Sequence, residues 1–213
     1  MSKQAKKHCG NAIHTITLDN AFNKDGAAKQ GYYTGDMHLQ WKLSHQNDPN
    51  EWARSFRSRV AKELGGPIQI VGLWASPPCT EYSRAKTSMP YCQKEAAFEE
   101  ADKLIRFTLG VIFELAAEEL RKGNHLYWVL ENPASGELRR REVMTAMCPK
   151  QFFDVSYCMY GHQAQKHTRL WNNLTSDMVH AWGPKYCGDG DSPQCEFKKQ
   201  HGRHERRATG KWP

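Results

Sequence analysis

The sequence predicts an α/β fold, and three observations carry that reading. Two short apolar runs of strand length occur at residues 68–75 (IQIVGLWA) and 126–130 (LYWVL). A long segment of helical periodicity separates them, and Gly, Pro or Asn signals close each segment. In chain order, residues 12–18 are rich in β-branched side chains and stop at Asp19-Asn20, which reads as a strand delivering an acid at its carboxyl end. Gly35-Asp36-Met37 is a second turn with an acid. Residues 51–64 place Trp52, Phe56, Val60 and Leu64 at intervals of four before Gly65-Gly66-Pro67, the pattern of an amphipathic helix. The nearly continuous apolar run at 68–75 predicts a parallel strand covered on both faces, ended by Ser76-Pro77-Pro78. Residues 93–122 form the longest periodic segment, with Ile105, Thr108, Ile112 and Leu115 on one face and Arg121-Lys122-Gly123 as its stop. After the strand at 126–130 come Glu131-Asn132-Pro133 and two further expected strands, at 152–160 and 169–174. Alternating strands and helices indicate a doubly wound sheet, whose ligands sit at the carboxyl ends of the strands.

Composition narrows the classes. The 213 residues leave room for one ordinary domain with a small appendage, and the expected division is a body at 1–175 and a basic tail at 176–213. With 39% hydrophobic and 11% aromatic residues, the bulk is foldable rather than disordered. No apolar run approaches the ~20 residues of a membrane helix, and the start, MSKQAKKHCGN, lacks a signal peptide's apolar stretch. The expectation is a soluble protein of the cell or host-cell interior. Seven cysteines without dense spacing fit a reducing compartment. A net charge of +7, with six basic and two acidic residues in 196–213, is compatible with phosphate binding.

Three polar residues follow strand-like runs and are expected to converge on one sheet edge: Cys79, Glu131 and Arg169. Two preceding prolines fix φ and remove backbone donors, so the Cys79 sulfur sits on a stiff turn. Glu131 ends a buried strand, and partial burial there would raise its pKa toward that of a useful acid.

The stretch Ser76-Pro77-Pro78-Cys79-Thr80-Glu81-Tyr82-Ser83 resembles the Pro-Cys motif of cytosine-5 DNA methyltransferases. Glu131-Asn132-Pro133 resembles their Glu-Asn-Val motif, and Gln165-x-His167-x-Arg169 their Gln-x-Arg-x-Arg motif, in the same order and spacing. The resemblance spans about residues 12–175 and is strongest to short phage-type methylase-like proteins. It implies a Rossmann-like S-adenosylmethionine-dependent methyltransferase fold and DNA as partner. Cys79 matches the nucleophile that adds to cytosine carbon 6, Glu131 the acid that holds ring N3 and the exocyclic amine, and Arg169 the arginine that steadies the base. Pro78, Ser83, Asn132, Gln165 and His167 fall at substrate-side positions. For S-adenosylmethionine, Asp19 matches the acid that accepts the ribose hydroxyls and Asp36 the acid near the adenine, with Asn20 and Pro77 beside them. The target base would have to leave the duplex to be reached.

The departures from the family pattern are specific. The Phe-x-Gly-x-Gly loop that approaches the cofactor's methionine end is missing, and residues 3–10 look like the helix that should follow it. The expectation is an N-terminally truncated fold: an incomplete reading frame, a chain completed by a second one that supplies the loop, or a catalytically silent DNA-binding homologue. Pro133 replaces Val and His167 replaces Arg. Few residues follow Arg169, so sequence specificity is expected to be low or borrowed. Ser76-Pro77-Pro78 also looks like the Ser-Pro-Pro motif of amino-methylating enzymes, which continue with an aromatic where this chain has Cys79. In the tail, Cys187, Cys195, His201 and His204 are candidate zinc ligands, but without C-x(2–4)-C spacing the segment reads as a flexible basic arm holding no metal. Arg139-Arg140-Arg141 are candidate phosphate contacts, and Trp171, Trp182 and Trp212 read as packing residues.

Overall fold

The computed structural model describes residues 16–19, 37–40, 47–82, 90–147, 151–162, 164–188 and 193–204. The expected helix at 3–10, and Asn20, Asp36, Ser83 and Trp212, lie outside the described residues. The chain divides into two compact units, residues 1–44 and 45–213. In the first, β1 (Ile16–Asp19) and β2 (Met37–Gln40) pair in parallel, and Asp19 is the last residue of β1, opposite Gln40.

The second unit is a four-stranded mixed sheet with helices. Its strands are β3 (Gly72–Ala75), β4 (Tyr127–Pro133), β5 (Phe152–Ser156) and β6 (His167–Asn172), in spatial order β3-β4-β6-β5. β3 and β4 are parallel, while β6 runs antiparallel to both of its neighbours. Thus β3, β4 and β5 point one way and β6 is inserted against them, so the sheet is not the uniformly parallel one expected. Connection length explains the difference. A parallel return needs a crossover of a dozen or more residues, which the helix between β3 and β4 supplies, whereas β5 and β6 are joined by only residues 157–166.

Helix α1 (Pro49–Leu64) starts where Asp48 accepts from the Glu51 amide at 2.9 Å, has proline in its first turn, and stops at Gly65, whose φ of 75° favours glycine. Helix α2 (Tyr91–Arg121) buries Ile105, Leu109, Ile112 and Leu115, a wider stripe than the sequence marked. It lies on the sheet face of Leu130 and Trp128, where Phe113 meets the Trp128 ring edge-on. On the opposite face the short α4 (Ser176–Trp182) sets Trp182 against Trp74 and Phe153. Between β4 and β5 lie a 3-10 turn (Glu137–Arg140) and α3 (Glu142–Met147).

Three strand expectations change, the first being that the strand expected at 152–160 stops at Ser156 and residues 157–160 wind into a 3-10 turn that ends at Gly161, whose φ is 93°. Residues 68–75 do not form a fully covered strand, because among the described residues β3 is at one edge of its sheet, and Val71 just before it and Trp74 within it are 50% and 40% exposed. β4 runs through Glu131, Asn132 and Pro133 instead of ending before them, since these residues pair with Leu170, Arg169 and Thr168 of β6. No helix among the described residues is long and apolar enough to cross a membrane.

One buried ion pair joins the helices to the entry of β3. Glu119 of α2 is fully buried and pairs with Arg57 of α1; it also accepts from the Ile70 amide (3.2 Å) and Asn124 Nδ2 (3.0 Å). Arg57 Nη2 donates to the Ile68 carbonyl at 3.0 Å. Burial pushes the Glu119 pKa up, but the donors from Arg57, Asn124 and Ile70 outweigh it and hold the carboxyl below its ordinary value. Arg57→Met strands this carboxylate and is expected to cost about 3–5 kcal/mol in urea unfolding at neutral pH. A depressed carboxyl stabilises fully above its unfolded pKa of about 4.3 and loses that contribution as pH falls through the folded value. Stability of the wild type should therefore fall in acid more steeply than that of Glu119→Gln, measured by the same unfolding at stepped pH.

Candidate functional site

The carboxyl ends of β3, β4 and β5 and the start of β6 share one edge, and the chemistry-bearing residues gather there. Ala75, the end of β3, lies opposite Leu130; Glu131 is the next residue of β4, and the loop carrying Cys79 leaves from the same end. That loop is tied down on both sides of the thiol. Before it, the Pro77 carbonyl accepts from Asn132 Nδ2 at 3.3 Å, and Asn132 is fully buried. After it, Tyr82 is buried, stacks on Phe98 of α2 at 5.8 Å, and donates its hydroxyl to Asp102 at 2.7 Å. Burial, followed by the Asp102 acceptor and charge, holds the Tyr82 phenol well above its ordinary pKa. The Tyr82 carbonyl accepts from the Glu137 amide at 3.0 Å, and Gly136 packs so closely here that a Cβ would lie 3.3 Å from that oxygen. Cys79 is a free, half-buried thiol between these anchors.

Glu131 is 7% exposed and is engaged: Lys166 Nζ donates to its Oε1 at 2.9 Å. Lys166 also lies over the Tyr157 ring at 4.6 Å, which places Tyr157 beside the Lys166–Glu131 pair. Burial and then the Glu131 charge push the Tyr157 phenol up. Glu131, Lys166 and Tyr157 thus lie together, and of the three the sequence marks only the acid. Lys166 lies inside the Gln-x-His-x-Arg stretch, so its place was readable; Tyr157 carried no sequence signal.

The remaining expected residues go elsewhere. Arg169 extends from the opposite sheet face to Glu131, grips Asp154 with two hydrogen bonds of 2.8 and 2.9 Å, and lies 3.8 Å over the Phe152 ring. Alternation along β6 is the reason, since Arg169 sits opposite Asn132 and Leu170 opposite Glu131. Gln165 donates to the Cys187 carbonyl at 3.1 Å; His167 bonds Ser156 Oγ at 2.8 Å and stacks on Tyr186 at 4.5 Å. Both residues hold the tail. Arg141 binds Glu95 and Asp102 and covers Phe98, so it is taken up by the fold, while Arg140 is exposed. Trp171 is buried in β6 and Trp182 packs as described. Pro78 is exposed in the loop. A broad open depression of about 820 Å³ at the other end of β5, lined by Gln151, Phe152, Leu174 and Val179, contains no carboxylate or thiol.

The tail residues described at 176–188 and 193–204 pack with the sheet and do not form a separate arm. Lys185 and Cys187 bond Ser156, and Cys158, Cys187 and Cys195 are buried together. His204 joins them, whereas His201 is exposed, stacks on Phe197 and bonds its carbonyl.

No protein-family model matches the chain, and no curated protein matches it.

Tyr82→Phe should leave the fold intact but cost about 1–2 kcal/mol and loosen the loop. Alkylation of Cys79 by iodoacetamide, followed by peptide mass mapping, is expected to run faster in this variant than in the wild type.

Proposed function

We propose that the chain is a DNA cytosine-5 methyltransferase acting through a covalent Cys79 adduct. The observation that carries this reading is the seating of the Cys79 loop, by Asn132 on one side and Tyr82–Asp102 on the other, at the sheet edge where β4 carries the buried Glu131. The order of the Pro-Cys, Glu-Asn and Gln-x-His-x-Arg stretches supports it, as does the +7 charge. The sheet, with three strands in one direction, a helical crossover from β3 to β4 and β6 inserted between β4 and β5, is compatible with a Rossmann-like methyltransferase.

Cytosine carbon 5 is a poor nucleophile, and addition of the Cys79 thiolate to carbon 6 turns the ring into an enamine. Glu131 holds N3 and the exocyclic amine, which draws electrons from carbon 6 as the carbon–sulfur bond forms. An entering base would meet the Glu131 carboxylate beside its contact with Lys166. In this reading Lys166, and not Arg169, is the cation that steadies the acid. Once carbon 5 carries the methyl group, loss of its proton to water lets the carbon–sulfur electrons leave with Cys79 as thiolate and restores the ring double bond. S-adenosylmethionine, as a sulfonium, supplies the methyl group. An acid ending a strand that has a parallel neighbour suits its ribose hydroxyls, and Asp19 at the end of β1 has that position.

A second reading is that of a silent DNA-binding homologue or one part of a split enzyme, with which the +7 charge is equally compatible. Calorimetry separates the two, because stoichiometric binding of S-adenosylmethionine by this chain alone removes the second reading. On DNA carrying 5-fluorocytosine with cofactor present, the wild type should form a denaturation-resistant adduct and Cys79→Ser none. Absence of the adduct despite cofactor binding overturns carbon 5 chemistry. Glu131→Gln is expected to lower turnover by about 10²- to 10⁴-fold with DNA affinity retained, read by methyl transfer and by filter binding.

A further inference from the structure

We infer that Cys158, Cys187, Cys195 and His204 form a structural zinc site that fastens the tail to the sheet. Their ligand atoms all lie within 4.8 Å of one another. His204 Nε2 is 3.1 Å from Cys195 Sγ and 3.6 Å from Cys187 Sγ. Tetrahedral zinc, with bonds of about 2.3 Å to sulfur and 2.0 Å to nitrogen, sets its ligand atoms about 3.5–3.8 Å apart, so the four need only small movements to enclose an ion. Cys187, Cys195 and Cys158 are 0%, 2% and 4% exposed, which makes the pocket closed.

Three thiols and an imidazole meeting in a buried space are poorly explained as packing. Among the described residues the apolar side chains packed against them are Met159 and Phe197, too few for this corner to be a core in its own right. The surroundings suit thiolates: the Cys195 amide donates to Cys187 Sγ and the Lys198 amide to Cys195 Sγ, each at 3.4 Å, the kind of outer contact that orients and stabilises metal-bound sulfur. The Lys198 side chain, bonded to the Gly188 carbonyl, brings positive charge close to a site that carries one net negative charge when zinc binds three thiolates. Four protein ligands leave no position for water, which marks the site as structural and not catalytic. Thiolate-rich tetrahedral sets favour zinc over magnesium or calcium, which take oxygen ligands.

The fold needs such a fastening. The last helix, α5 (Glu196–His201), has six residues and buries none of them, and so short a helix does not hold itself in water. The ion would join Cys158, just after β5, to Cys187 and Cys195 and to His204 after α5, tying together points that otherwise share little core. It also acts beside the candidate site, because the ring of Tyr157, the neighbour of Cys158, packs under Lys166, which holds Glu131, and Gln165 and His167 flank Lys166 while gripping the tail.

The test is independent of any methyl transfer. The full chain, purified reduced with zinc present, is expected to hold one zinc per chain by elemental analysis. Replacement by cobalt should give the visible absorption of a tetrahedral site with a thiolate-to-cobalt charge-transfer band. Cys195→Ser and His204→Ala should weaken zinc binding by about 100-fold or more, while Cys79→Ser and His201→Ala keep full occupancy. If the ligand variants do not fold, the cobalt spectrum of the wild type still reads the thiolate set. A reduced chain with no stoichiometric zinc and no thiolate-to-cobalt band overturns the inference, and so does loss of zinc in His201→Ala equal to that in His204→Ala.

Discussion

The double pairing of β6 is the constraint on which the second unit depends. It lies between β4 and β5 and is antiparallel to both, so its register sets where each partner's residues stand. Pairing with β6 carries β4 on through Glu131 and Asn132, which keeps both backbones in the ladder and sends their side chains to opposite faces. Asn132 then turns to the Cys79 loop, and Glu131 turns to Lys166 and Tyr157. The same alternation sends Arg169 to Asp154. A shift of one residue in this pairing would exchange all of these assignments.

The loop after β3 shows how a thiol is positioned without secondary structure. Its two prolines restrict the backbone, but direction comes from hydrogen bonds at its ends. Tyr82 links the loop to α2 through Asp102, and Asp102 is held in turn by Arg141, which also reaches Glu95. A network of this kind, with its buried members satisfied, rigidifies a site more than any single contact. The Arg57–Glu119 pair does the same work at the other end of the unit, where it joins α1, α2 and the chain entering β3.

The tail and the candidate site are parts of one arrangement. Gln165 and His167 precede and begin β6 and bind tail residues, while Lys166 between them faces Glu131. Movement of the tail therefore reaches the acid through one residue on either side. The cluster of Cys158, Cys187, Cys195 and His204 lies at the same junction.

Periodicity and punctuation in the sequence determined the elements. The four-residue spacing of Trp52, Phe56 and Val60 marked α1, the stop at Arg121-Lys122-Gly123 marked the end of α2, and LYWVL marked β4. These signals are local, because burial of one face and termination of a helix depend on neighbours within a few residues. The sequence also marked Cys79 and Glu131 as residues following apolar runs. Only the tertiary structure decided the direction of β6, the continuation of β4 into its motif, the exposure of β3 as an outer strand, and the choice of Lys166 over Arg169 as the partner of Glu131. Likewise nothing in the spacing of the tail cysteines pointed to Cys158, which joins them from the far end of β5, or separated His204 from His201. Such pairings are made between residues distant in the chain, and they follow from strand order and side-chain alternation, which no local pattern encodes.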